Sequence, residues 1–183
     1  MPIVRSRALF FSPGDDARDQ LVAFIRQARR SVHLNVYGLA DPEVADVLIE
    51  RHVSGCSVSV VCDHTQASGP TDKVQLGRLV AAGIEVVITT SPTGAIDHEK
   101  VALIDIVDGV MADSSAVWYG SYNFSQSAQK QRNYAEHDND PAIVARFWTD
   151  WQASHDWGVA HHQEWQIVPA PSAVFQGDPV TGA

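Results

Sequence analysis

The segment "DHEKVALID" places His98 and Lys100 two residues apart and Asp105 five further on, with mostly apolar residues between. A short way downstream, "GSYN" supplies Gly120, Ser121 and Asn123. An imidazole serves as a nucleophile or proton carrier near neutral pH. A lysine beside it adds a fixed positive charge. That pair suits an anionic electrophile, above all a phosphate. Gly120 permits close approach of backbone, and Ser121 and Asn123 offer a hydroxyl and an amide. Residues two apart on a strand share a face, so His98 and Lys100 are expected to project together from a strand "HEKVALIDI". Asp105 has the opposite parity and falls at or past the strand end, where it orients a basic group or caps a turn. The strand "AVWY" is expected to give way to a helix at "GSYN", whose N-terminus attracts anions. Two neighbouring strands then present His, Lys, Ser and Asn around one phosphate.

The elements that must position these residues are legible along the chain. "LFFS" reads as a strand, and residues 15–30 carry Leu21, Phe24, Ile25 and Ala28 on one helical face. "SVHLNVYG" alternates strictly, with His33, Asn35 and Tyr37 on one side. Asp41 and Pro42 make a good helix start. "SVSVVCD" is a continuous apolar strand of the kind a parallel sheet buries on both faces. "HTQASGPTD" reads as a loop, "KVQLGRLVAAG" as a helix stopped at Gly83, "IEVVITT" as a strand and "SPTGAID" as another loop. "HEKVALIDI" and "AVWYGS" flank a polar turn. "NFSQSAQKQR" reads as helical, and "DPAIVARFWTDWQA" repeats the Asp-Pro helix start. The alternation of strands and helices predicts an α/β fold with a mostly parallel central sheet flanked by helices on both faces. In such sheets, sites gather at the carboxyl ends of strands. Residues 1–157 are expected to form a single domain, and 158–183, rich in Pro and Gly, a C-terminal tail that wraps it.

The 183 residues suit one domain with a substantial core, and 45% hydrophobic with 19% charged residues is a globular profile. Lys plus Arg is 13 and Asp plus Glu is 22, a net charge of −9. That argues against a surface that coats nucleic acid or anionic lipid indiscriminately, while leaving room for a local basic cleft. No apolar run reaches the ~20 residues of a membrane helix, and the N-terminal apolar run "ALFF" is too short for a signal peptide. The chain is therefore read as cytoplasmic, with no membrane anchor. Cys56 and Cys62 lie outside any CxxC pattern and read as small buried hydrophobes.

"HEKVALID" with "GSYN" downstream resembles the HxKxxxxD…GSxN signature of the phospholipase D superfamily, over roughly residues 8–157. The resemblance implies an α/β/α sandwich and a phosphodiesterase in which His98 attacks phosphorus to form a covalent phosphohistidine. It implies that Lys100 and Asn123 hold the phosphate oxygens, that Ser121 supports them, and that Asp105 is a supporting residue. It implies no metal and no cofactor. Two histidines are needed, one to attack and one to protonate the leaving group. This chain has one full motif, so the resemblance implies a homodimer with a composite site. Many relatives carry Asn-x-Glu after GSxN, with the Glu bracing the histidine. Here Asn133 and Glu136 are separated by two residues, and Glu136 is the candidate brace from a shifted register.

Other chemistry-bearing residues have plainer readings. His33, Asn35 and Tyr37 share a strand face and either point at the site or, the reading preferred, are simply hydrogen-bonded on a half-covered sheet face. His161 and His162 read as solvated surface, since adjacent side chains point apart. Trp148, Trp151 and Trp157 read as core at helical spacing rather than base-stacking rings. Arg26, Arg29 and Arg30 read first as a helix C-terminal cluster favoured by the dipole, and second as a contact to a phosphate backbone. The function most consistent with all of this is a nuclease cleaving DNA or RNA. The alternatives are a phospholipid hydrolase or phosphatidyl transferase, and a catalytically weak relative that binds nucleic acid or protein.

Overall fold

A computed structural model describes residues 6–161. Seven strands form one sheet: β1 (Arg7–Ser12), β2 (Ser31–Val36), β3 (Ser57–Asp63), β4 (Glu85–Thr89), β5 (Lys100–Val107), β6 (Val110–Gly120) and β7 (Asn133–Asp138). The helices are α1 (Ala17–Arg26), α2 (Pro42–Val53), the single turn α3 (His64–Ala67), α4 (Pro70–Ala81) and α5 (Pro141–His161). The strand order is β1-β7-β6-β5-β2-β3-β4.

The sheet is an α/β/α sandwich, as expected, but it is mostly antiparallel rather than mostly parallel. Only β2–β3 and β3–β4 run parallel, whereas β1–β7, β7–β6, β6–β5 and β5–β2 are antiparallel. One dipeptide accounts for the β5–β6 step. Asp108 and Gly109 both take positive φ, 50° and 76°. That is the geometry of the two-residue hairpin turn that Asp-Gly favours, and it folds β6 straight back along β5.

Each face has its own core. Val32, Leu34, Val36, Ala102, Ile104 and Trp118 pack with α1, α2 and α4. Val61, Val101, Leu103 and Val117 pack under α5 with Val144 and Trp151. Burying each such side chain is worth roughly 1.5–3 kcal/mol. Trp148 and Trp151 stack at 5.0 Å and Trp151 Nε1 donates to Leu34 O at 2.9 Å, so these rings belong to the core. His33 lies between them and the sheet, bonded through Nδ1 to Ser59 Oγ and through Nε2 to Ile106 O, both at 2.8 Å. Asp41 caps α2 through Glu43 N–H at 3.0 Å. Both cysteines are free and buried.

Three local expectations differ from the structure, and one strand forms where no element was expected. "HTQASGPTD" is not a loop throughout: Asp63 caps the short α3, and α4 already starts at Pro70. "NFSQSAQKQR" contains only a 3₁₀ turn, Gln126–Lys130, so no helix N-terminus stands at Gly120–Asn123. The polar stretch after it forms β7. Its alternation carries Glu136, which would be costly to bury alone, but Arg7 and Tyr119 engage that carboxylate. Finally, α5 passes Trp157 and runs to His161, because Gly158 lets it approach β4. A Cβ there would come within 2.8 Å of Ile88 O. The expected tail thus begins inside a helix, and His162 and the rest of it lie outside the described residues.

Candidate active site

The carboxyl ends of β2 and β3, the start of β5 and the end of β6 meet at one end of the sheet. Val36 pairs with Lys100, and Ala102 pairs with Trp118, so Gly120 falls opposite Lys100 two residues on. A second tie fixes the rim. Leu39 bridges Phe124, and Ala40 and Asp41 both donate backbone N–H bonds to Phe124 O. The HxK and GSxN segments are therefore brought together by sheet register.

His98 does not lie on the strand. β5 begins at Lys100, and His98 sits in the segment leading into it. The two side chains consequently differ in environment: Lys100 is buried and His98 is exposed. Lys100 Nζ donates to the carbonyl of His98, which leaves two of its three protons for other acceptors. Tyr37, just past β2, contacts both. Its ring meets the His98 imidazole edge-on at 4.6 Å, and Lys100 Nζ stands 5.1 Å from its centre. Gln66 of α3 holds the Tyr37 hydroxyl at 3.0 Å.

The electrostatics separate the two groups. Burial, followed by the Lys100 charge, pushes the His98 imidazole below its ordinary value, against a smaller opposing pull from Asp63 and Asp97. His98 is thus mainly neutral at pH 7. Burial lowers the Lys100 ammonium to about 8, only partly offset by Glu99 and Asp97. A neutral nucleophile and a charged anchor coexist in the interval between these values.

A carboxylate pair holds the segment from behind. Asp63 is fully buried at the end of β3; its Oδ2 accepts Asp97 N–H at 2.7 Å while Oδ1 accepts Thr65 N–H at 2.9 Å. Asp97 accepts from Asn35 Nδ2 at 3.2 Å, and burial raises its pKa.

The remaining expected site residues divide. Asn123 reaches this end of the sheet, and its buried Oδ1 has no hydrogen-bond partner among the described residues. Gly120 is required by packing: a Cβ would lie 2.8 Å from Ala135 Cα and closer still to Tyr134 O, so β6 and β7 would have to part. Ser121 is engaged in that same join, since its hydroxyl accepts Tyr134 N–H at 3.1 Å and its N–H donates to Tyr134 O at 2.9 Å.

Asp105 and Glu136 are not brought to His98. Asp105 lies five residues along β5 from Lys100, about 16 Å away, with φ 62°. Its Oδ1 accepts the N–H groups of Arg29 and Arg30 at 2.7 and 2.8 Å, and Ser114 donates to Oδ2. It ties the α1–β2 turn to the sheet. Glu136 pairs with Tyr119 in register and shares its face. Its carboxylate is held by Arg7 Nη2 at 2.9 Å and by Tyr119 Oη at 2.6 Å. The residue on the Gly120–Lys100 face is Ala135. A shift of one position on a strand moves a side chain to the opposite face, so the shifted register takes Glu136 away from the histidine.

The sequence reading preferred a plain sheet-face role for Tyr37 and did not single out Asp63 or Asp97 as site residues. The first two end or follow consecutive parallel strands, which is the position where sites collect. Asp97 had the plainer signal of adjacency to His98.

Known proteins resemble this chain in sequence and in fold. A family model described as "Cardiolipin synthase, PLD-like domain" matches residues 21–154. A "Phospholipase D" from Rickettsia prowazekii is 31% identical over 121 residues, 66% of this chain and 53% of that protein. A "Mitochondrial cardiolipin hydrolase" from Chlamydomonas reinhardtii is 26% identical over 125 residues, 68% of this chain and 51% of that protein. The chain thus spans about half the length of the curated relatives it matches. Among solved structures, the phospholipase D family member Nuc from Salmonella typhimurium aligns with a TM-score of 0.76 at 24% identity, covering 85% of this chain and 97% of Nuc. NucT from Helicobacter pylori aligns with a TM-score of 0.71 at 20% identity, covering 84% and 98%. At those identities the structures speak for the fold. The family model spans most of the chain and takes in both the HxK and the GSxN segments, and on that ground the chain belongs to the phospholipase D superfamily.

Proposed function

We propose that this chain is a phosphodiesterase that cleaves DNA or RNA without a metal ion, through a covalent phosphohistidine, in a homodimer whose two copies share one site. The observation that carries the reading is the His98–Lys100 pair: an exposed, mainly neutral imidazole beside a buried ammonium, both against one tyrosine ring.

The His98 imidazole nitrogen attacks phosphorus, and the bond from phosphorus to the leaving oxygen breaks. His98 of the second copy, protonated, gives its proton to that oxygen. Now neutral, it takes a proton from the water that attacks the phosphohistidine, and the P–N bond breaks. Lys100 and the Asn123 side-chain N–H meet the negative charge on the non-bridging oxygens. Preorganised donors of this kind are worth about 10²–10³ in rate each. Two like motifs facing across a two-fold axis split the histidine titrations, which suits one as nucleophile and the other as acid.

The rim supports a polar substrate. Segments 64–72 and 90–97 expose one large apolar side chain, Ile96. The second reading is a phospholipid hydrolase or phosphatidyl transferase, favoured by the names of the relatives, which speak of phospholipase D and cardiolipin hydrolase. The discriminating experiment is hydrolysis of labelled single- and double-stranded DNA and RNA in excess EDTA, wild type beside His98→Ala. Cleavage by wild type alone supports the nuclease. Cleavage of phosphatidyl substrates only, lost in His98→Ala, replaces it with the lipid reading. Equal cleavage by both proteins removes His98 from the mechanism.

A further inference from the structure

At the same end of the sheet, two strands away from β5, a cleft of about 700 Å³ opens between the end of β1 and the β6–β7 join. It is lined by Phe11, Ser12, Ser121, Arg132, Asn133 and Tyr134, with Pro13 and Gly14 closing one side. Its size falls within the ~300–1,000 Å³ of ordinary ligand sites. Strands lie about 4.8 Å apart, so the cleft centres about 10 Å from the strand that carries Lys100. Ser121, the residue after Gly120, lines the cleft, while Tyr134 and its partner Phe11 share the strand face of Glu136, opposite Lys100, so the cleft and the reactive pair lie on the two sides of one sheet end.

Three features decide what it would hold. Phe11 and Tyr134 are cross-strand partners, and they stand 53% and 49% exposed, side by side on one face. Folding does not use these rings, because both are left half in water. Second, Arg132 is exposed and, among the described residues, has no acidic partner; Lys130 beside it has none either. Among the described residues, five other arginines are paired with acids: Arg7 with Glu136, Arg18 with Glu43, Arg26 and Arg51 with Glu50, and Arg78 with Asp46. Arg132 and Lys130 thus give this edge of a chain of net charge −9 two cations that no acid neutralises. Third, the remaining lining is short and polar. The Asp15 carboxylate, the nearest acid in sequence, is turned back onto Phe11 N–H at 2.8 Å. Leu9, the aliphatic neighbour on the same strand, is exposed but does not line the cleft.

We infer that this cleft is a subsite for single-stranded nucleic acid, in which Phe11 and Tyr134 stack bases of a strand that rounds this end of the sheet from the reactive pair and Arg132 pairs with a backbone phosphate. The inference rests on the proposed function and names how that site grips its substrate. Every base has a flat π-face, so two exposed rings hold a strand without reading its sequence. A duplex hides its bases in the stack and gains only the phosphate contact, so the subsite favours single strands. An acyl chain would want a continuous aliphatic wall, whereas this cleft has two rings set among hydroxyls, an amide and a guanidinium.

The test uses the His98→Ala protein, so that binding is read without turnover, and fluorescein-labelled oligodeoxythymidylates. An octanucleotide should bind well above a dinucleotide. Phe11→Ala and Tyr134→Ala should each weaken the octanucleotide roughly 5- to 100-fold, the range for loss of one stacked base. Arg132→Gln should flatten the salt dependence by about one phosphate contact. Both rings are half-exposed, so unchanged melting temperatures certify the fold. Octanucleotide affinity equal to wild type in both ring variants overturns the inference. So does loss of binding to anionic phospholipid vesicles in place of oligonucleotides, or conversion of a dimer to monomers on sizing, which would make the face a lipid contact or a contact between copies. Hydrolysis of bis(p-nitrophenyl) phosphate by the wild-type protein is scored separately. That small diester tests the chemistry without needing the cleft, so failure of the proposed reaction and failure of the subsite give different results.

Discussion

Asp63 Oδ2 accepts the backbone N–H of Asp97 at 2.7 Å, and this bond fastens the peptide immediately before His98 to the end of β3. His98 lies outside the strand ladder, so its position depends on such a tether rather than on sheet pairing. Asp63→Asn keeps the shape and exchanges a charged acceptor for a weaker neutral one. The expected result is a kcat lower by about 100-fold, as for a misplacement of the reacting group by about 1 Å. Asp63 is also one of the two carboxylates that draw the His98 pKa upward. The acid limb of the pH–rate profile should therefore move to lower pH in Asp63→Asn. A merely structural loss would lower activity and leave that limb in place.

The wild-type profile should be bell-shaped. Attack needs His98 neutral, and its pKa is below the ordinary value, so activity rises as pH climbs through that lowered value. Charge stabilisation needs Lys100 protonated, and its pKa is about 8, so activity declines above that. Lys100→Arg separates this limb from any contribution of the second histidine. Arginine does not deprotonate in this range, so the alkaline limb should move up or vanish even though the altered geometry lowers the maximum. A limb that stays near 8 would assign it to another group.

Lys100 also carries a stability cost. Its folded pKa lies below the unfolded value of 10.5, so between about 8 and 10.5 the unfolded chain binds more protons. Stability from this group accordingly rises with pH across that window and is least at neutral pH, where the buried ammonium is charged. Replacing it with an apolar side chain of similar length, Lys100→Met, should abolish activity and stabilise the protein at pH 7 by about 1–3 kcal/mol. Differential scanning calorimetry at pH 7 and at pH 10 checks the sign: the advantage of the variant should shrink at the higher pH.

Asp105 should behave as a fold residue. Asp105→Ala removes the acceptor for Arg29 and Arg30 N–H and puts a β-carbon without a polar side chain at φ 62°. The expected loss is about 2–4 kcal/mol of stability, from two unsatisfied donors and backbone strain. The acid and alkaline limbs of the pH–rate profile measured below the melting transition should stay where they are in wild type. A displaced limb would tie Asp105 electrically to His98 despite the intervening strand.

The site was legible where residue type and strand order coincide. His98, Lys100, Gly120 and Asn123 gather because the β5–β6 hairpin sets the two segments in register, and the Asp-Gly at its turn was visible in the chain. The sense of the sheet was misread because alternating strands and helices imply crossovers, while that hairpin and the β1–β7 pairing add antiparallel neighbours on one side. β7 was hard to see because its buried carboxylate looks wrong for a strand until Arg7 and Tyr119 are known to hold it. The role of Asp105 was open because a register shift between Ile104 and Ile106 breaks the simple parity of β5, and its partners lie some 75 residues away. Tyr37 looked like one more residue of a polar sheet face, yet β2 ends at Val36 and frees it to turn toward the histidine.

The β1–β7 pairing has a consequence for how the molecule is made. Arg7 and Glu136 meet across 129 residues of chain. Contacts this distant in sequence form late, after shorter loops have closed. Ser12 and Phe11 arrive with β1 and Asn133 and Tyr134 with β7, so the aromatic cleft is assembled only when synthesis has passed β7. A nascent chain stalled before that strand could already carry His98 and Lys100 at the head of β5, yet it would lack the wall built by β7 and β1. Synthesis past β7 thus governs when the cleft at this end of the sheet first exists.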